Sequence, residues 1–301
     1  MTAAAPERSQ RRPVDAVALA QQQRRLNRSN DPPWLHAEVA RRMAERLPAI
    51  RLQPQRVIDW NAHLGASQSL LRERYPGAVW QPVESDLQRQ MPQRRPWWSA
   101  ARWSSAARDP LPAGRVEPGA AELLWANMAL HFEAEPQALL ARWQRVIAVD
   151  GFLMFSTLGP GTLAPLGALY RDAGWPSPLA PLVDMHDLGD MLVQAGFADP
   201  VMDQETLTLT WPDAAACLAE LRSLGGNAAP DRHAALRTPR WRSRLETALL
   251  ERAGLGGRIA LPFEVVYGHA FRAAPRLRVA EETRVAVEDL RTMARRKPAP
   301  R

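Results

Sequence analysis

One cysteine, Cys217, stands in 301 residues. An intramolecular disulfide is therefore impossible and a thiolate metal cluster is excluded, so a cytoplasmic location is the default expectation. Lysine is equally scarce: Lys297 is the only one among 39 basic side chains. With 27 prolines and many alanines, that bias reads as a coding background rather than a functional signal. Long apolar runs are missing too. No stretch approaches the ~20 apolar residues of a membrane span, and the start, MTAAAPERSQRR, lacks the apolar segment of a secretory signal. A soluble chain with no membrane partner is expected. Also absent are H-E-x-x-H and paired-cysteine metal spacings, a G-x-x-x-x-G-K-[ST] phosphate loop and a G-x-S-x-G elbow. Hydrolase and nucleotidase readings lose their support.

What is present in excess is positive charge, +7 overall. A nucleic-acid partner needs a basic face or stripe, not a basic total. Residues 1–32 carry six Arg against three acids, and residues 276–301 carry seven Arg and one Lys against four acids. The stretch between them holds 25 basic and 25 acidic residues and is neutral. The expected organisation is a flexible Arg-rich tail over 1–32, one domain over 33–275 and a basic tail over 276–301. Nucleic acid is not an expected partner.

Apolar periodicity fills in the domain. Leu35, Val39, Met43 and Leu47 recur every fourth residue and predict an amphipathic helix. Strands are predicted at Arg56–Trp60, Ala78–Val83, Ala121–Trp125 and Phe152–Thr157, and helices at 66–74 and 135–146. Residues 91–119, rich in Pro, Arg and Trp, read as irregular. A helix over 187–195 and long strands over 200–211 and 258–271 follow, the strands separated by two helical runs within 212–254. Strands alternating with helices imply a doubly wound α/β sheet, mostly parallel, with antiparallel pairing at its last edge.

In such a sheet a ligand lies beyond the carboxyl ends of the strands where strand order reverses, and the loop after the first strand is the usual cradle. That loop runs from Asp59 to Gly65. An acid at the strand end followed by glycine suits a hydroxyl or ammonium group, and Glu84, ending the next strand, suits a ribose diol. The same acids also serve as plain caps of the following helices. Trp60, Trp80, Trp97, Trp98 and Trp103 crowd this third of the chain, either as ordinary core and surface aromatics or as fillers of the cleft.

The strand–acid–loop order and the segment LLWANMALHF (123–132) resemble the seven-stranded, Rossmann-like class I S-adenosylmethionine-dependent methyltransferases. FSTLGPGTL (155–163), DMHDLGDMLVQAGFADPVMD (184–203), LGGNA (224–228) and YGHAF (267–271) narrow this. Together they are similar to the malonyl-acyl-carrier-protein O-methyltransferase family of biotin synthesis, over roughly residues 33–273. The resemblance implies S-adenosylmethionine as cofactor and an acyl-carrier protein or a small carboxylate as substrate. It places Asp59, Asn61, His63, Gly65, Glu84, Asp109 and Asn127 at the cofactor. Arg222, Arg240 and Arg242 on the second insertion are candidates for the substrate's free carboxylate or an acidic carrier protein, and His186, just ahead of a helix start, is either a substrate contact or part of that helix start. Insertions over about 159–183 and 212–254 would form a helical lid. No catalytic base is assigned, because a carboxylate nucleophile is already anionic.

The chain departs from the family in its loop. Asn61 and His63 stand where D-x-G-x-G-x-G has glycines, and His63 is expected to compete for cofactor space. The family's N-terminal tyrosine is missing from RRLNRSNDPPW (24–34). The alternative these departures allow is a catalytically inactive methyltransferase fold serving as a binding or assembly factor.

Overall fold

The computed structural model describes residues 11–85, 109–233, 235–254 and 256–274. The expectations for Trp97, Trp98, Trp103 and the 276–301 segment, and most of that for 91–119, lie outside them. Seven strands form one sheet: β1 (Arg56–Trp60), β2 (Val79–Glu84), β3 (Leu111–Pro112), β4 (Ala121–Ala126), β5 (Ile147–Leu158), β6 (Ala198–Trp211) and β7 (Ile259–Phe271). Their order is β3-β2-β1-β4-β5-β7-β6. The first five pair in parallel, and β7 lies antiparallel between β5 and β6. This is the expected doubly wound sheet with its antiparallel edge.

Strand periodicity sorts the core into two layers. In β4 and β5, Leu123, Trp125, Phe152 and Met154 face one side, with Leu35, Val39 and Met43 of α2 (Trp34–Ala44). Leu124, Ala126, Leu153 and Phe155 face the other, with Leu140 and Trp143 of α5 (Pro136–Val146) and Leu188 and Leu192 of α7 (Met185–Gln194). Trp60 belongs to this second layer, edge-on to Trp143 at 6.0 Å, so it is a core aromatic and not a cleft filler. Gly268 of β7 sits opposite Phe155, whose ring occupies the space a Cβ would need.

The helix predicted over 66–74 is α4 (Gln68–Arg74), preceded by a separate single turn, α3 (Ala62–Gly65), that ends where Ala66 takes φ +53°. The two insertions supply α6 (Ala164–Asp172), α8 (Ala214–Ser223) and α9 (Pro239–Glu251). They are joined through Tyr170, Trp175 and Trp241, whose ring centroids lie 5.1–6.2 Å apart.

The largest departure is at the N-terminus. Residues 11–32 are not a detached tail: Ala16–Asn27 is a helix, α1, capped by Asp15, whose carboxylate accepts from the amides of Val17 and Ala18. Ala18, Leu19 and Leu26 are buried against Leu64, Phe132, Ala180 and Ala228. The arginines spread over residues 1–32 dominated the composition of this stretch and concealed the narrow apolar stripe of the helix, which itself carries only Arg24 and Arg25.

Candidate functional site

The site forms where strand order reverses, at the carboxyl ends of β1 and β4. Asp59 is fully buried, and among the described residues neither of its carboxylate oxygens has a hydrogen-bond partner. Burial, then the neighbouring Glu84, push its pKa well above the usual carboxylate range, with the Trp80 indole opposing. Glu84 is buried too and accepts from the His63 amide at 2.8 Å. A buried carboxyl without donors is costly, so this end of the sheet is shaped for a ligand that brings ammonium or hydroxyl groups.

Asn61 occupies the left-handed region (φ +53°, ψ +50°), the conformation a glycine would supply and one that asparagine tolerates best among other residues. Its Oδ1 accepts from the amide and hydroxyl of Ser85 at 3.3 and 2.8 Å, tying the β1 loop to the end of β2. The His63 imidazole turns to the Ser29 carbonyl, 3.1 Å from Nε2, on the connection between α1 and α2. Gly65 would meet nothing closer than 3.6 Å with a Cβ added. The loop thus keeps the backbone course of a glycine-rich turn with different side chains.

Asn127, at the end of β4, donates from Nδ2 to the carbonyls of His36 (2.8 Å) and Gly65 (2.7 Å) and accepts from Ser156 Oγ (2.7 Å). Its amide is consumed in joining α2, the β1 loop and β5. Asn127 therefore positions the site instead of contacting a ligand through its side chain. Asp109 is exposed; its carbonyl accepts from Gln81 Nε2 just ahead of β3.

A cavity of about 420 Å³ is lined by none of Asp59, Asn61, His63, Gly65, Glu84, Asp109 and Asn127 but by their neighbours on other elements. Leu35 and His36 of α2, and Met128, His131 and Phe132 after β4, form its inner wall, while Leu163, Leu166, Tyr170, Leu218 and Leu221 roof it from the two insertions. Leu19, Gln22 and Arg25 of α1 close the remaining side. Arg222 lines this cavity. The other substrate candidates do not: Arg240 and Arg242 are exposed on α9, and His186 is an exposed residue of the first turn of α7, its Nδ1 2.9 Å from the capping carboxylate of Asp184. Among the described residues no group of three or more His, Cys, Asp or Glu side chains is placed to hold a metal ion.

Three cavity residues escaped the sequence reading. Arg12, buried, donates to the carbonyls of Pro181, His131 and Glu133 and pins the N-terminal segment across the site. His36 and His131 sit 6.2 Å apart edge-to-face. Burial lowers the pKa of His36 to about 4, and burial, His36 and Arg12 hold His131 well below the usual imidazole range. The only signal for His131 was its place within LLWANMALHF; for Arg12 and His36 there was none.

No protein-family model matches the chain. Curated relatives do. A malonyl-[acyl-carrier protein] O-methyltransferase of Laribacter hongkongensis is 39% identical over 257 residues, covering 81% of this chain and 84% of its own. Proteins of the same name from Gallionella capsiferriformans and Halorhodospira halophila are 38% and 36% identical, covering 81% and 87% of this chain and 86% and 90% of theirs. With the doubly wound sheet, the acid-ended β1 and β2, and identity sustained over four fifths of its length, the chain belongs to the malonyl-[acyl-carrier protein] O-methyltransferase family.

Proposed function

We propose that the chain transfers the methyl group of S-adenosylmethionine to the free carboxylate of a malonyl thioester carried by acyl-carrier protein, in the cytoplasm. The observation that carries this reading is the buried Asp59 carboxyl, whose oxygens make no hydrogen bond, at the end of β1 in a chain of this kinship. The amino and hydroxyl groups of the cofactor are donors of the kind that the Asp59 oxygens do not meet, so the residues fit it: Asp59 would hold the amino acid end and Glu84, at the end of the neighbouring strand, the ribose. When bound, the cofactor supplies a methyl group on a positively charged sulfur.

The protein's own part is positioning. A carboxylate needs no general base, only alignment with the methyl carbon and exclusion of water. The leucines of α6 and α8 exclude water from above, and the Asn127 bridge holds Gly65 and His36 in register below. Arg25 and Arg222, exposed at the cavity rim, suit the anionic arm and the acidic surface of a carrier protein. An inactive binding factor is the less favoured reading, since Asn61 keeps the glycine backbone conformation and Asp59 keeps its unmet demand for a donor.

Thermal unfolding tests the cofactor half of the proposal. Ligand at 100 times its dissociation constant stabilises the fold by about 2.7 kcal/mol. A rise in melting temperature with S-adenosylmethionine or S-adenosylhomocysteine is the expected result, together with a methyl ester found by mass spectrometry on a malonyl thioester. No rise at millimolar ligand overturns it.

A further inference from the structure

We infer that His131, and not an arginine, reads the substrate's free carboxylate, donating one hydrogen bond from a neutral imidazole Nε2–H at the floor of the cavity. The inference rests on the carboxyl-methylation reading above.

Elimination carries the first step. Among the described residues Arg12 is the one buried arginine, and four of its five N–H groups are committed to backbone carbonyls: Nε and Nη2 reach that of Pro181 at 3.2 and 2.7 Å, and Nη1 reaches those of His131 and Glu133 at 2.8 and 3.0 Å. Arg25 and Arg222 are exposed at the rim, with Arg25 Nη2 bound to the Arg222 carbonyl at 2.8 Å. The reacting carboxylate has to lie deeper, against the loop that follows Asn127, because Asn127 ties that loop to Gly65 and the acid-ended β1.

Two imidazoles face that depth, and their tautomers differ. His36 Nδ1 lies 2.8 Å from the Leu64 carbonyl, which only accepts, so Nδ1 carries the proton and Nε2 offers a lone pair that repels a carboxylate. His131 Nδ1 is buried without a partner. A proton there would be an unmet buried donor, so it resides on Nε2 of this cavity-lining residue. Burial of the ring, then His36 and Arg12, hold its pKa well below the usual imidazole range.

The chemistry favours such a donor. A bidentate guanidinium engages both carboxylate oxygens and stabilises their charge, which weakens the nucleophile. A single neutral N–H fixes one oxygen and leaves the other to attack, while the positive charge that offsets the carboxylate is the cofactor's own. Of the hydroxyl-bearing residues of the cavity, Tyr170 belongs to the lid and packs against Trp175, and Thr162 donates its hydroxyl to the Glu264 carbonyl at 3.1 Å.

The test uses the full chain with malonyl pantetheine as the acceptor and two variants. His131→Leu removes the donor, whereas His131→Gln keeps an amide N–H close to the place of Nε2–H. Expected are a fall of at least about tenfold in kcat/KM for His131→Leu and recovery to within about threefold for His131→Gln. S-adenosylhomocysteine affinity is expected to stay within about twofold in both. In the wild type, 15N-labelled imidazole should show the Nε2–H signal of His131 shifting when malonyl pantetheine joins the S-adenosylhomocysteine complex. That measurement decides the matter even where His131→Leu does not fold, and an unmoved signal overturns the inference. Equal losses in the Leu and Gln variants overturn it, as does a wild-type rate in His131→Leu. A wild type that forms no methyl ester on malonyl pantetheine overturns both this inference and the functional reading; one that forms it equally well with His131→Leu overturns this inference alone.

Discussion

Asp59 shows how a ligand-binding demand is written into an unliganded fold. Its carboxyl is buried, unpaired and next to a second acid, so its folded pKa lies above the unfolded value. The folded state therefore binds the proton more tightly, and the contribution of this group to stability declines as pH rises from the unfolded carboxylate range toward the folded pKa. Asp59→Asn abolishes that dependence. Its expected melting temperature exceeds the wild type's by more at pH 8 than at pH 5, while the thermal shift given by S-adenosylhomocysteine shrinks or vanishes. A variant less stable than wild type at pH 8 would show that the carboxyl has an internal partner after all. Asp59 and Glu84 were legible in the sequence because strand ends and acids are local features. The direction of the His63 side chain was not: its imidazole goes to Ser29, a contact made only when α1 and α2 pack together.

Among the elements, α1 changes the picture most. It encloses one side of the cavity, and Leu26 lies buried in its small apolar cluster. Truncating Leu26 to Ala removes buried methyl groups without touching the floor of the site. Such truncations cost about 2–4 kcal/mol when the surroundings cannot collapse. We expect a loss in that range in denaturant unfolding, with a raised KM for the malonyl substrate from a looser α1. An unchanged midpoint would mean that α1 detaches before the sheet unfolds. The strands of the sheet were readable because their apolar alternation has a period of two and their neighbours are near in sequence. α1 was not, because six arginines over residues 1–32 outweigh its short stripe in any composition count.

At the scale of the whole molecule, charge and fold separate. The neutral stretch carries the sheet and lid, and much of its charge is paired locally, as in the Glu38–Arg41–Arg42 group of α2 and its link to Glu205 of β6. The excess of the 276–301 segment, eight basic against four acidic residues, lies apart in sequence from every residue of the site. Deleting residues 276–301 is therefore expected to lower retention on heparin while leaving kcat/KM with malonyl pantetheine within about twofold, since long-range charge acts on encounter more than on chemistry. A large loss of turnover would place that segment at the site.

The sequence by itself determined the sheet class, its antiparallel edge, the acids that end β1 and β2, and the kinship, because these depend on short-range periodicity and on contiguous motifs. Only the tertiary structure decided that Asn61 does a glycine's work, that Asn127 is a brace, that Arg12 is spent on carbonyls, and that His36 and His131 face one cavity. Apart from Asn61, whose partner Ser85 is 24 residues away, those outcomes depend on which groups meet across more than 90 residues of chain, as Asn127 meets the His36 carbonyl. Burial then sets the charge state of each group it encloses.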